Sequence, residues 1–162
     1  MTLPFLMSYG GQTTEDLIAL ESRYRTDSLV LAFEEAIQQK SNPSVNETYV
    51  LAVEGMEREV NNGGWWQFFM NSSGQYAGVI EQALRAIGCP QTATVARDAV
   101  AALGISGELT AQTVADTIAA GREELEGRLE AFDERYFAGE EAIGDRLFDW
   151  IKANQATIRV GG

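Results

Sequence analysis

The 162-residue chain contains no histidine. That absence removes His-based catalytic triads, imidazole metal ligands and the usual proton shuttle near neutral pH. Cysteine is almost as scarce. Cys89 stands alone, so neither an internal disulfide nor a cysteine zinc site is available. Without histidine it also lacks the base of a papain-like nucleophile. Basic residues number 12 against 24 acids, for a net charge of -12 and a pI near 4.3. A direct nucleic-acid binder needs a basic face, so no direct nucleic-acid binding is expected. No stretch approaches the roughly 18 apolar residues of a membrane span. Residues 1–11 lack the basic start of a signal peptide. The expectation is a cytoplasmic protein that does not engage membranes, with an acidity that favours basic partners.

What is present reads at helical period. A chain of this length is expected to form one domain, residues 1–162. Hydrophobic residues make up 45 %, enough for an ordinary core. Thr14 is placed as the N-cap of a first helix that carries Leu17, Ile18, Leu20 and Tyr24. Val30, Phe33 and Ile37 belong to a second helix, broken at Pro43. Val45, Tyr49, Val53, Met56 and Val60 form the cleanest apolar stripe, ending at Asn61-Asn62-Gly63-Gly64. Later helices carry Ile80 with Leu84, Val95 with Ala99, Val114 with Ile118, Leu125 with Leu129 and Phe132, and Leu147 with Ile151. Thr157 to Val160 reads as a short extended tail. The fold class expected is all-α, a single compact domain of about seven to nine helices.

The segment Asn61-Asn62-Gly63-Gly64-Trp65-Trp66-Gln67-Phe68-Phe69-Met70-Asn71-Ser72-Ser73-Gly74 places four large aromatics between two glycine-bearing breaks. On a helix, Trp65, Phe68 and Phe69 share one face, and Trp66 pairs with Met70. Two readings stand side by side. The aromatics form a core plug, each burying on the order of 150–250 Å², while the amides satisfy helix ends. Alternatively, Asn61, Asn62, Gln67 and Asn71 line a binding loop.

This segment resembles the signature of a bacterial family of small helical proteins, long labelled only as a domain of unknown function. Tyr49 to Val60, Ala83 to Gly88, Phe132 to Phe137 and Leu147 to Ile151 are also similar to the family pattern. The resemblance runs across about residues 17–158. It identifies Asn61, Asn62, Gly63, Gly64, Trp65, Gln67, Phe68, Phe69, Asn71, Ser72 and Gly74 as signature residues, mainly structural. The best-understood type of the family is an acidic DNA mimic that binds a helix-turn-helix transcription factor as a dimer. The resemblance therefore implies such an activity here, and a possible homodimer.

The spacing of the acids bears on that implication. Between Glu108 and Asp149 there are twelve acids and four arginines. On a helix through residues 122–137, Glu123, Glu126, Glu130 and Glu134 fall opposite Leu125, Leu129, Phe132 and Tyr136. Their steps of three and four residues give a rise of ~4.5–6 Å, sparser than the ~3.4 Å between phosphates of one DNA strand. Further acids are then needed. The expected partner-binding set is Glu123, Glu126, Glu130, Asp133, Glu134, Glu140, Glu141 and Asp145. An internal Glu124–Arg128 pair is expected to absorb some charge. No Asp-rich loop with calcium spacing is present. No catalytic residue, metal site or cofactor is expected.

The favoured function is thus non-enzymatic: occupation of the DNA-binding surface of a basic protein such as a transcription factor. The alternative is a toxin-neutralising or anti-defence inhibitor of a basic enzyme such as a nuclease. A third reading places a small ligand beside the Asn/Gln amides.

Overall fold

The computed structural model describes residues 2–162. Among them are eight α-helices and no β-strand: α1 (Thr14–Ala19), α2 (Thr26–Gln38), α3 (Val45–Met70), α4 (Ile80–Ala86), α5 (Pro90–Ala101), α6 (Ala111–Ala120), α7 (Arg122–Phe137) and α8 (Ile143–Ala153). A 3₁₀ turn covers Ser72–Tyr76. The all-α expectation holds. No helix among the described residues is long and apolar enough to cross a membrane. The chain gathers into two compact units, residues 1–54 with 142–162, and residues 55–141. The boundary falls within α3.

The first unit packs α2 against α1 and α8. Leu17, Leu29, Phe33, Ile37, Leu147, Phe148 and Ile151 are buried there. The cap of α1 is Thr13, whose side chain accepts from Asp16 N in a capping box. Thr14, one residue later, is buried and serves the C-terminus instead. Its hydroxyl donates to Ile158 O at 2.8 Å and accepts from Val160 N at 3.0 Å. That is why residues 157–160 are pinned as an extended tail without joining a sheet. Glu47 anchors the same tail. Its carboxylate accepts from Arg159 N at 2.7 Å, Ser44 N at 2.7 Å and Lys40 Nζ at 2.6 Å. Burial opposes ionisation of Glu47, but these donors prevail and hold its pKa below the ordinary value.

The second unit contains the end of α3 and helices α4 to α7. Here α5 packs on α4 and α7, and α6 packs on α7 and the 3₁₀ turn. The helix break expected at Asn61–Gly64 exists, but the following aromatic helix abuts so closely that the two form one element. Only Gly63 (φ -156°, ψ 18°) and Gly64 (φ 75°, ψ -174°) leave helical geometry. Tyr76, four residues before Ile80, ends the 3₁₀ turn and is not part of α4. That turn is tied to the aromatic helix by Ser73 Oγ, which donates to Phe68 O at 2.7 Å.

Candidate functional site

The aromatic segment divides its side chains between two environments. Trp65, Phe68 and Phe69 are buried. The Trp65 ring meets Phe68 edge-on at 5.4 Å and Tyr136 edge-on at 6.2 Å. Trp66, out of phase with that stripe, is half-buried, and Met70 is exposed. The core-plug reading therefore describes Trp65, Phe68 and Phe69, but not Trp66.

The amides turn inward on the protein's own groups. Gln67 Nε2 and Asn71 Nδ2 both donate to Glu59 Oε2, at 2.7 and 2.9 Å. Asn61 Nδ2 donates to Glu57 O at 2.6 Å and reaches the Tyr136 hydroxyl at 3.3 Å. Asn62 and Ser72 are exposed. Gly74 sits where a Cβ would lie 2.5 Å from Phe69 O, so the turn after the aromatic helix closes only around glycine.

Gly64 has the sharper requirement. Its positive φ with an extended ψ lies in a region that only glycine adopts without strain. A Cβ there would also lie 2.5 Å from the Asp133 carboxylate. That carboxylate accepts from Trp65 N at 2.8 Å and so caps the aromatic helix from α7. Burial raises the Asp133 pKa, the Trp65 N–H opposes that rise, and the Glu130 charge reinforces it. Sequence reasoning grouped Asp133 with outward-facing acids, because helical phase alone cannot reveal a cap supplied across 68 residues.

Glu141 has a similar internal role. Its carboxylate accepts from Gln91 N at 3.0 Å, Thr92 N at 2.7 Å and Thr92 Oγ1 at 2.6 Å. It caps the first turn of α5, whose N-cap residue Cys89 makes no side-chain capping hydrogen bond. Glu141→Ala is expected to cost about 1–2 kcal/mol, as loss of a helix cap does. Urea unfolding would check this. An unchanged midpoint would mean that the cap contributes nothing.

The remaining acids of α7 divide by partner. Glu126 accepts from Arg122 Nε at 3.1 Å, which replaces the expected Glu124–Arg128 pair. Arg135 bonds Asp98 at 2.9 Å. Glu123, Glu130 and Glu134 are exposed and form no ion pair among the described residues. Glu140 is exposed between α7 and α8, and Asp145 is exposed on α8 in the other unit. A cleft of about 490 Å³ lies against α7, lined by Gly63, Trp66, Glu123, Glu126, Gly127, Glu130 and Asp133.

The sequence matches the family described as DMP19-like protein over residues 42–154. The chain belongs to the DMP19-like family. The matched span contains the aromatic segment, the Gly64–Asp133 cap and the acids of α7. No curated protein and no solved structure matches the chain. Within the DMP19-like signature, Gly63, Gly64, Trp65, Gln67, Phe68, Phe69, Asn71 and Gly74 thus have architectural roles visible in their contacts. Sequence reasoning missed Trp66 as a surface element. The available signal was its phase: it is the aromatic left over when Trp65, Phe68 and Phe69 occupy one face.

One further acid stands apart. Glu57 is half-buried on α3, and burial pushes its pKa up to about 7 from 4.5. The folded protein then holds a proton at this site that the unfolded chain has already released. Stability should therefore fall as pH rises from about 4.5 to about 7, with the loss complete above that range. Glu57→Gln should flatten this slope and raise stability at pH 8 by roughly 1–3 kcal/mol. Urea midpoints at pH 5 and pH 8 provide the check; equal slopes in both proteins would contradict the assignment.

Proposed function

We propose that this chain is a non-catalytic acidic module that seats on the DNA-binding surface of a basic protein, such as a transcription factor, and excludes DNA from it. The observation carrying this reading is the row of exposed carboxylates on α7 that form no ion pair among the described residues: Glu123, Glu130 and Glu134. Membership of the DMP19-like family supports it through the mimicry that the resemblance implies. A carboxylate already committed to an internal donor projects little outward field. Asp133 and Glu141, and Glu126 while Arg122 holds it, therefore leave the expected binding set; Glu123, Glu130, Glu134 and Glu140 remain, and Asp145 is exposed in the other unit.

The mechanism is competition. Exposed carboxylates pair with arginines and lysines that otherwise hold phosphates. Long-range attraction speeds encounter, and added salt screens it, with a Debye length of ~8 Å at physiological ionic strength. A single row remains sparser than a DNA strand, so further carboxylates, from Glu140 or from a second copy of the chain, complete the surface.

The test is affinity capture from nuclease-treated bacterial lysate at low salt, followed by salt-step elution. A basic DNA-binding protein that elutes in mid-salt and is displaced by duplex DNA supports the proposal. Capture of a basic enzyme whose activity is blocked transfers the function to the inhibitor reading. The combined substitution Glu123→Gln, Glu130→Gln and Glu134→Gln should weaken capture at least about ten-fold, if each lost charge-assisted contact contributes ~0.5 kcal/mol or more. The fold should persist, since exposed substitutions usually change stability little. Unchanged binding at physiological salt would show that α7 is the wrong surface.

A further inference from the structure

The cleft beside α7 sets one aromatic ring among carboxylates. Its lining combines the Trp66 ring with four carboxylates, from Glu123, Glu126, Glu130 and Asp133, and contains no base. Among the described residues no group of three or more carboxylate, thiol or imidazole side chains could hold a metal ion. The chain itself shows which cation suits the ring. The Arg122 guanidinium lies 5.6 Å from the Trp66 ring centroid while its Nε donates to Glu126. The side chain of that arginine is 70 % exposed. Of the lining residues it engages Trp66 and Glu126, while Glu123 and Glu130 form no ion pair among the described residues.

Gly127 contributes the opening. It lies inside α7, where glycine costs roughly 1 kcal/mol relative to alanine. A Cβ at this position would meet nothing within 4 Å, so packing does not require glycine there. Its effect is to keep one wall of the cleft bare.

We propose that this cleft is a receptor for an arginine side chain of the basic partner, whose guanidinium stacks on Trp66, displaces Arg122 and bonds Glu123, Glu126 or Glu130. The inference rests on the acidic-module reading above and deepens it. Guanidinium is favoured over ammonium because it is planar, more weakly hydrated, stacks on an aromatic face and offers forked donors to carboxylates. The α7 row attracts any cation, whereas the cleft distinguishes arginine from lysine.

Calorimetric titration with hexa-arginine and hexa-lysine peptides at low salt separates these two properties. The wild-type protein should bind the arginine peptide about three- to ten-fold more tightly than the lysine peptide. Trp66→Leu should abolish that ratio while leaving the lysine affinity nearly unchanged. Gly127→Leu should do the same by filling the cleft, and this variant removes no buried side chain. Arg122→Ala should widen the ratio by vacating the ring. Equal affinities for the two peptides, or a ratio that survives both Trp66→Leu and Gly127→Leu, would overturn the arginine receptor while leaving the acidic module intact. Failure of both peptides to bind would overturn the acidic module, and the receptor with it.

Discussion

Trp65→Ala should destabilise the protein by about 3–5 kcal/mol, the range for truncating a fully buried large aromatic. The Trp65 ring is 0 % exposed and meets Phe68, Phe69 and Tyr136. Its removal would leave a void that helices anchored on both sides cannot close. The indole N–H adds a diagnostic detail, because Trp65 Nε1 is buried without a hydrogen-bond partner. Its desolvation is therefore uncompensated in the wild-type protein. Trp65→Phe, which discards that N–H and keeps most of the ring contacts, should cost no more than about 1.5 kcal/mol. Chemical denaturation of the two variants provides the check. Similar losses in both would mean that the indole N–H has a partner in solution.

Gly64→Ala should cost about 2–4 kcal/mol. Backbone strain supplies ~1–3 kcal/mol, because a side chain is placed at a φ of 75° with an extended ψ. The Asp133 cap supplies the rest, ~0.5–2 kcal/mol, since the new Cβ occupies the space of its carboxylate. These two contributions separate in a double-mutant cycle with Asp133→Ala. In the wild-type background Asp133→Ala should cost about 1 kcal/mol or more; in the Gly64→Ala background it should cost almost nothing, because the cap is already displaced. Strict additivity would mean that glycine is required for its backbone angles alone.

The helices were legible in the sequence because their apolar periods are long and their ends carry glycine, proline or polar caps. Val45 to Val60 and Leu125 to Phe132 state their phase directly. The break at Gly63–Gly64 was equally visible, since consecutive glycines after two asparagines rarely continue a helix. What periodicity does not encode is the destination of a polar group. Nothing local to Glu141 says that its carboxylate reaches the start of α5, some 50 residues earlier. Thr13 and Thr14 are interchangeable as caps on propensity, and the choice depends on the demand of Val160 for a buried acceptor. The Arg122–Glu126 pair was missed in favour of Glu124–Arg128, although the spacing is identical. Only the nearby ring of Trp66, across the second unit, distinguishes them.

Helix α7 presents two faces under different constraints. Leu125, Leu129 and Asp133 are fixed by the interior they complete, whereas Glu123, Glu130 and Glu134 are exposed and form no ion pair among the described residues. Substitutions on the outer row are therefore close to neutral for stability, even where they change which basic surface is attracted. Under the proposed function, this arrangement separates the residues that keep the architecture from those that meet a partner, so a change of target would need substitutions only along the exposed row, with the aromatic and glycine framework left untouched.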